Sequence, residues 1–469
     1  MDLASAVDSP TASLARAEAR RVFASPHARA LAWVALAIFI AEQAMLWWLY
    51  YTGSNKALVG DEVRYLETAR AILAGGPWHP SEIWPPAQSL FIAALGASLV
   101  GVQIVQTLLF VACGVLVARL AKKITGDSTA AVIAAALFLL DPDNAAYAHW
   151  LWPEVPHLFV VLLALDFLLV AAPSRFNAFV AGVLIGLALL FKSLLTAFWP
   201  LLLLAFVEWK PLRVRGLRAA LFVFALAITV APALVAGHRN TGHWSIADSS
   251  AINLLIGLED TTRNDYVPGA SANRFGEYIE SGATSDARNA WAWQQVHRHL
   301  DTRSPFEIAR TQLDRQYYRL FEAKTLLLSQ LPGPACAGYR GAYRDAPQAA
   351  VGIVRWSSHA AHAVMLSGFA FGLFLWRRWH TPAPWLLLAF VGYQLALYSA
   401  LHVQARYLLP MVPVFCVFAG AAFARMARAS DVSEVVVATP LRLALGAALA
   451  ALLLWLAFAG PFLDGYCRS

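Results

Sequence analysis

The segment LAWVALAIFIAEQAMLWWLY, Leu31 to Tyr50, decides the fold. It is apolar at almost every position and matches the ~20 residues a helix needs to cross the hydrocarbon of a bilayer. Arg16, Arg20, Arg21 and Arg29 precede it, and Trp47, Trp48, Tyr50 and Tyr51 close it. Basic residues on one side and an aromatic belt on the other orient a spanning helix with its N-terminus inside. A signal peptide has a shorter apolar core and a small-residue cleavage site, so this segment reads as an uncleaved anchor.

The rest of the chain repeats the pattern. Of its 469 residues 59% are hydrophobic and only 14% charged, against about 25% charged in a soluble domain. Backbone polar groups in lipid need internal partners, so the apolar runs are helices or a closed barrel. Their continuous rather than alternating character excludes the barrel. The runs after the first are Val102–Leu120, Thr129–Leu140, Val155–Ala172, Phe176–Phe191, Leu194–Val207, Ala219–Ala236, Val351–Trp376, Trp385–Leu401, Tyr407–Ala424 and Leu441–Ala459. The spacing thus predicts an all-α polytopic membrane protein with about 11 crossings. Ala87–Val100 is short and reads as interfacial or re-entrant.

Charge supports this threading. The short loops assigned inside carry Lys122 and Lys123, Arg175, Lys210 to Arg218, Arg377 and Arg378, and Arg425 and Arg428. The outside segment from Asp141 to Glu154 holds three acids and no Lys or Arg. The net charge of +7 is accounted for by basic inner loops, and no basic stripe interleaved with aromatics points to nucleic acid. The expected organisation is a cytoplasmic segment (1–29), a transmembrane module (30–236) with external loops at 52–86 and 141–154, an external region (237–350), further transmembrane helices (351–460) and an external tail (461–469). An external region of that length is usually functional or forms a small domain. Cys113 and Cys416 lie in apolar runs. Cys336 and Cys467 fall outside the membrane, where spacing alone does not establish whether they pair.

Five groups of residues could carry chemistry, and the threading puts all of them on the outer face. Asp61 and Glu62 start a stretch in which Tyr65, Ala69, Ile72 and Leu73 keep helical spacing, as in a helix lying on the membrane surface. Adjacent carboxylates there point to different faces; the competing role for Asp61 is helix capping. Asp141 and Asp143, with Tyr147, His149, Trp152 and Glu154 after them, could hold a divalent cation or form an ordinary turn. Lys192 sits at a tight turn between apolar runs, a phosphate partner or a snorkelling lysine. His402, Arg406 and Tyr407 open a late helix, and Arg239 opens the external region.

With these residues in view, the chain resembles the GT-C superfamily of glycosyltransferases, in the branch of protein O-mannosyltransferases and aminoarabinose transferases. The resemblance rests on the order Asp61-Glu62, Tyr65, Pro85-Pro86, Glu154, the Gly-rich run Gly182 to Lys192, Pro232 with Arg239-Asn240 and Gly242, and Arg406-Tyr407 with Pro410 and Pro413. It covers about residues 31–428. Relatives often have Arg where this chain has Lys192, and the mannosyltransferases carry an extra domain in the long external loop, for which this chain has no room.

The resemblance implies a GT-C-like bundle with amphipathic surface helices in the first external loop, and a sugar donor on a polyprenyl phosphate. It implies a lipid, protein or glycan acceptor and an outer-face site. Asp61 would be the general base, and Lys192, Arg406 and Arg239 would bind the donor phosphate. Glu62 and Asp143 would orient the acceptor or hold a cation, with Tyr65, Asp141, Glu154 and His402 lining the cavity. A divalent cation is left open, with Asp143 its first ligand. The absence of any Asn-x-Ser/Thr sequon on the outer face fits a bacterial inner membrane. A transporter or flippase would need paired ionisable residues near the midplane and often repeated halves. Only Glu42 and Asp166 lie well inside apolar runs, and no repeat is visible. A non-catalytic scaffold would tolerate loss of Asp61, and a ligase of lipid-linked glycans would rely on Arg and His in an external loop.

Overall fold

The computed structural model describes residues 26–52, 58, 60–79, 83–206, 212–259, 262–263, 270–323, 326–332, 343, 345–427 and 437–464. Cys336 and Cys467 lie outside the described residues. These residues form helices and no strand among them.

Five helices are long and apolar enough to cross a bilayer: α1 (Pro26–Thr52), α4 (Leu99–Thr125), α9 (Leu212–Thr241), α15 (Gln348–Leu375) and α18 (Pro440–Asp464). A sixth span is broken: α5 (Ser128–Leu139) meets α6 (Pro142–Ala146), which runs on to His149, at a bend of 59°. The bend falls where Asp141 caps the second helix by accepting the Asp143 N–H at 3.0 Å and Pro142 begins it, since proline is tolerated in a first turn but not inside a helix. Shorter apolar helices are α8 (Arg175–Phe191), α16 (Pro382–Tyr398) and α17 (Val412–Met426). The chain is therefore an integral membrane protein. Among the described residues there are five to six full-length spans and these shorter helices, against the 11 crossings expected from the runs.

Three apolar runs depart from a regular helix. The run Leu194–Val207, expected to span, is over its described residues part of two 3₁₀ stretches, Ser193–Leu195 and Trp199–Phe206; Pro200 withholds an N–H and disfavours helical backbone at Trp199. The run beginning at Tyr407 is a 3₁₀ turn, Ala405–Leu408, before α17 starts beyond Pro410. Val155–Ala172 is α7 (Glu154–Leu165) followed by a π-helical turn, Asp166–Val170. There Arg119 of α4 pairs with Asp166 through Nε and a second nitrogen, at 2.8 and 3.1 Å.

The core forms where α17 lies buried along nearly its whole length against α4, α5 and α15. α8 packs on α9 so closely that a Cβ at Gly182 would fall 2.2 Å from the Phe222 carbonyl oxygen. Small residues allow such approach between helices that gain little from water exclusion in lipid.

Outside the spans, α2 (Asp61–Leu73) is the amphipathic helix expected there, burying Glu62, Tyr65, Leu66 and Ala69; Leu73 of the expected stripe is exposed. α3 (Ala87–Ala94) covers part of the short run. The described part of the region expected to be external (237–350) folds as α10 (Ser250–Glu259), α11 (Ala270–Glu280), α12 (Ser285–Thr302), α13 (Pro305–Phe321) and α14 (Leu326–Gln330). α13 starts with a capping box in which Ser304 and Glu307 satisfy each other's backbone N–H, as that sequence pattern requires. Ile252, Leu255, Ile256, Tyr278, Ala292 and Val296 make a small separate core, joined by Ile83 from the first loop.

Candidate active site

Three helix ends meet at the start of α2. Asp61 is the first residue of α2, preceded by Gly60, so it sits in the first turn and is not the cap. Its Oδ2 accepts a hydrogen bond from an Arg406 guanidinium nitrogen at 3.5 Å across 345 residues of sequence. The other terminal nitrogen of Arg406 is 3.8 Å from Glu154 Oε1, and Lys192 Nζ donates to the same oxygen at 2.7 Å. Asp61, Arg406, Glu154 and Lys192 thus form one chain of alternating charge.

Each is placed by a break in its helix. Glu154 opens α7 after Pro153. Lys192 leaves α8 in extended backbone (φ −150°, ψ 128°). Arg406 sits on the 3₁₀ turn before α17. Aromatic faces enclose the cations. The Arg406 guanidinium lies 4.3 Å from the Trp152 ring centroid and 5.4 Å from that of Tyr407, and Lys192 Nζ is 5.5 Å from Tyr407. Tyr398 stacks on Tyr407 at 5.3 Å, and Tyr65 is buried below.

The electrostatics of the Glu154–Lys192 pair is asymmetric. Burial pushes the Glu154 carboxyl up, but Lys192 and Arg406 outweigh it and hold the group below its ordinary value. Burial pulls the Lys192 ammonium down; Glu154 opposes this, Arg406 adds to it, and the net direction is downward. One anion is shared by two cations, so the anion gains more than either cation. Burial raises the Tyr65 phenol, with Asp61 and Glu154 adding to the rise.

Glu62 stands apart from this chain. It is buried, and its Oε1 accepts the Leu151 N–H at 2.8 Å, fastening the 141–154 segment to α2. Gln88 donates to the Leu151 carbonyl at 2.8 Å, and Gln103 to that of His149 at 2.8 Å. Asp141 and Asp143 line a different cavity, of about 20 Å³, with Tyr147, Glu322, His362 and Leu408. That is room for about one water molecule. Ser358 Oγ donates to Asp143 Oδ2 at 2.5 Å. The Ala405–Leu408 turn separates the two places: Ala405 and Leu408 face the acidic cavity, while Arg406 reaches Asp61. Among the described residues no three His, Cys, Asp or Glu side chains come together to hold a metal ion.

His402 is buried just before this turn, its N–H bonded to the Asn253 carbonyl at 2.8 Å. Arg239 lies exposed in the last turn of α9, and no contact among the described residues joins it to the cluster. Sequence reasoning did not find Trp152 as the platform under Arg406, nor Glu322, Ser358 and His362 beside the aspartates. Trp152 was visible as one aromatic in an acidic loop. The other three carry no local signal, being single polar residues in or near apolar helices.

The fold and site define a helical membrane protein with a charged cluster at helix ends, enclosed by aromatics. Residues 84–236 match the family model described as dolichyl-phosphate-mannose-protein mannosyltransferase. The match includes Asp141, Asp143, Glu154 and Lys192, and over those residues it bears out the resemblance read from the motifs. Among solved structures it is similar to the Archaeoglobus fulgidus oligosaccharyltransferase AglB in complex with an inhibitory peptide and a dolichol-phosphate. That likeness has 14% identity and a TM-score of 0.47, over 92% of this chain and 55% of the other. It is also similar to ArnT from Cupriavidus metallidurans bound to undecaprenyl phosphate, at 17% identity and a TM-score of 0.36, over 86% of this chain and 79% of that one. The chain spans about half the length of the archaeal enzyme. A search of curated proteins gave no match.

Proposed function

We propose that this protein transfers a sugar from a polyprenyl-phosphate donor to a hydroxyl of a lipid, protein or glycan on the outer face of the membrane, with Asp61 as general base. The observation that carries the reading is the contact of Arg406 with both Asp61 and Glu154, which links a partly exposed carboxylate to the buried pair of Glu154 and Lys192. The family match over residues 84–236 supports the donor class.

In the reaction the acceptor hydroxyl gives its proton to the Asp61 carboxylate as its oxygen bonds to the anomeric carbon. The bond from that carbon to the phosphate oxygen breaks, and its electron pair leaves on the phosphate. Lys192 and Arg406 are placed to stabilise the departing anion. One displacement inverts the anomeric configuration. Glu154 holds both cations between turnovers, and the donor phosphate competes with it for them.

The test is transfer by the purified protein from labelled polyprenyl-phosphate sugars, with native membrane extract as acceptor. Asp61→Asn should lower transfer by roughly 10²-fold or more, the scale of a general base, while binding of polyprenyl phosphate persists. Undiminished transfer would move the base to Glu62 or Asp143. No transfer from any donor by the unmodified protein would overturn the proposal.

A further inference from the structure

Arg406 follows a segment that is contacted from outside the long spanning helices. The segment 400–403, which leads into its turn, is gripped by two helices of the external region. From α10, the Asn253 carbonyl accepts the His402 N–H at 2.8 Å. One turn on, Gly257 lies flat against the same segment. A Cβ there would fall 2.6 Å from the Leu401 carbonyl carbon, 2.7 Å from the Ala400 oxygen and 2.7 Å from the His402 nitrogen. These are backbone atoms, so no side-chain rotation relieves the clash.

From α13, Arg319 is almost wholly buried and its Nε donates to the Val403 carbonyl at 3.0 Å. α13 also locks α10 in register: Gln312 and Gln316 both donate to the Gly257 carbonyl, at 2.9 and 3.0 Å, and Gln316 donates to Gln312 at 2.8 Å. Farther along, α13 packs on the Ala405–Leu408 turn itself. A buried arginine and two buried glutamines all spent on backbone carbonyls is more than a surface loop needs. Buried polar groups satisfied in this way fix one geometry.

We infer that α10 and α13 of the external region set the reach of Arg406 by holding residues 400–403, with Gly257 and Arg319 as positioning residues. Neither touches the charged cluster; they act through the backbone that carries Arg406. The inference rests on the reading of Arg406 as a ligand of the donor phosphate, and it makes the external region part of the donor site as well as a cover for the acceptor.

The experiment uses the full-length protein, undecaprenyl phosphate as probe, and the variants Gly257→Ala, Arg319→Gln and Arg406→Gln, singly and with Arg406→Gln combined with each of the others. Arg406→Gln should weaken binding about tenfold or more, the scale of a hydrogen bond to a charged group. Gly257→Ala and Arg319→Gln should each weaken it several-fold alone and add nothing in the Arg406→Gln background, because they act through that residue. Structures of the two single variants should show Arg406 displaced from Asp61 and Glu154. The inference is overturned if Arg406 keeps both contacts in both variants, or if their effects persist undiminished without Arg406. If Arg406→Gln leaves binding unchanged, the phosphate reading fails instead, and the position of Arg406 in the variant structures decides the inference alone. Two variants at separate contacts guard against one that does not fold.

Discussion

Lys192 Nζ lies 2.7 Å from Glu154 Oε1, in a pair whose carboxylate side chain is only 2% exposed and whose ammonium side chain is 21% exposed. The same oxygen faces Arg406 at 3.8 Å. One buried anion therefore compensates two cations, and the pair must be expensive to break from the anionic side. Removing one partner of a buried pair typically costs about 3–5 kcal/mol, because the other charge is left uncompensated.

Glu154→Gln should accordingly lower the thermal unfolding temperature in detergent. Arg406 keeps Asp61 at 3.5 Å and Lys192 is partly exposed, so the expected loss lies at or below the lower end, about 3 kcal/mol. Added polyprenyl phosphate supplies an anion to the same cations and should raise the midpoint of Glu154→Gln more than that of the unmodified protein. An equal ligand-induced rise in both would show that the phosphate does not meet Lys192 and Arg406.

Acid stability follows from the direction of the Glu154 shift. Its carboxyl is held below its ordinary value by Lys192 and Arg406, against the upward push of burial. The unfolded chain therefore takes up a proton first as pH falls, and the contribution of Glu154 is present above about pH 4.3, the unperturbed value. It is lost as pH drops through the lower folded value. Lys192 shifts downward too, so the unfolded chain again holds more protons, and its share of stability rises with pH up to about 10.4. Melting curves across pH should show an acid loss in the unmodified protein that is missing in Glu154→Gln. They should also show an alkaline gain that is missing in Lys192→Met.

Glu62 can be separated from Asp61 by substitution with the amide. Its Oε1 accepts the Leu151 N–H, and a glutamine oxygen can accept the same bond. Glu62→Gln should keep transfer within about tenfold and lose at most ~1 kcal/mol of stability, the worth of an ordinary hydrogen bond. Glu62→Ala leaves a buried N–H unpaired and should cost about 1–3 kcal/mol. A loss of transfer in Glu62→Gln as deep as in Asp61→Asn, at unchanged stability, would instead make Glu62 a catalytic acid or base.

The sequence exposed the cluster because charges at the ends of apolar runs are costly in lipid and stand out. Glu154 and Lys192 lie at the ends of apolar helices, Arg406 on the turn before one and Asp61 at the start of α2, and all four meet. Arg239 showed the same mark but is exposed at the end of α9, since an arginine at the end of a spanning helix also serves by snorkelling to the interface. Asp141 and Asp143 looked continuous with Glu154 in the loop, yet the 59° bend before Pro142 turns them toward α15 and the far side of the 405–408 turn. The amphipathic period of α2 was legible. The irregular backbone at 193–206 and 405–408 was not, because hydropathy reports burial in lipid and is blind to how prolines redirect a run. The grip of α10 on residues 400–403 was equally hidden, since it consists of backbone contacts.

Trp152 offers the last test, because its role depends on a face and not on a charge. Its ring centroid is 4.3 Å from the Arg406 guanidinium, close enough for a cation–π attraction of about 0.5–2 kcal/mol depending on desolvation. The ring also covers one face of the guanidinium, whose terminal nitrogens reach Asp61 and Glu154. Trp152→Phe keeps a face with a weaker quadrupole, and Trp152→Leu keeps bulk without one. Affinity for polyprenyl phosphate should fall in the order Trp, Phe, Leu, by about two- to thirtyfold across the series, and the series should flatten in the Arg406→Gln background. Equal losses for Phe and Leu would mean that Trp152 acts by filling space. A series that does not flatten without Arg406 would mean that the ring meets the lipid or the sugar directly, which is the result that would separate Trp152 from the cation it now lies beside.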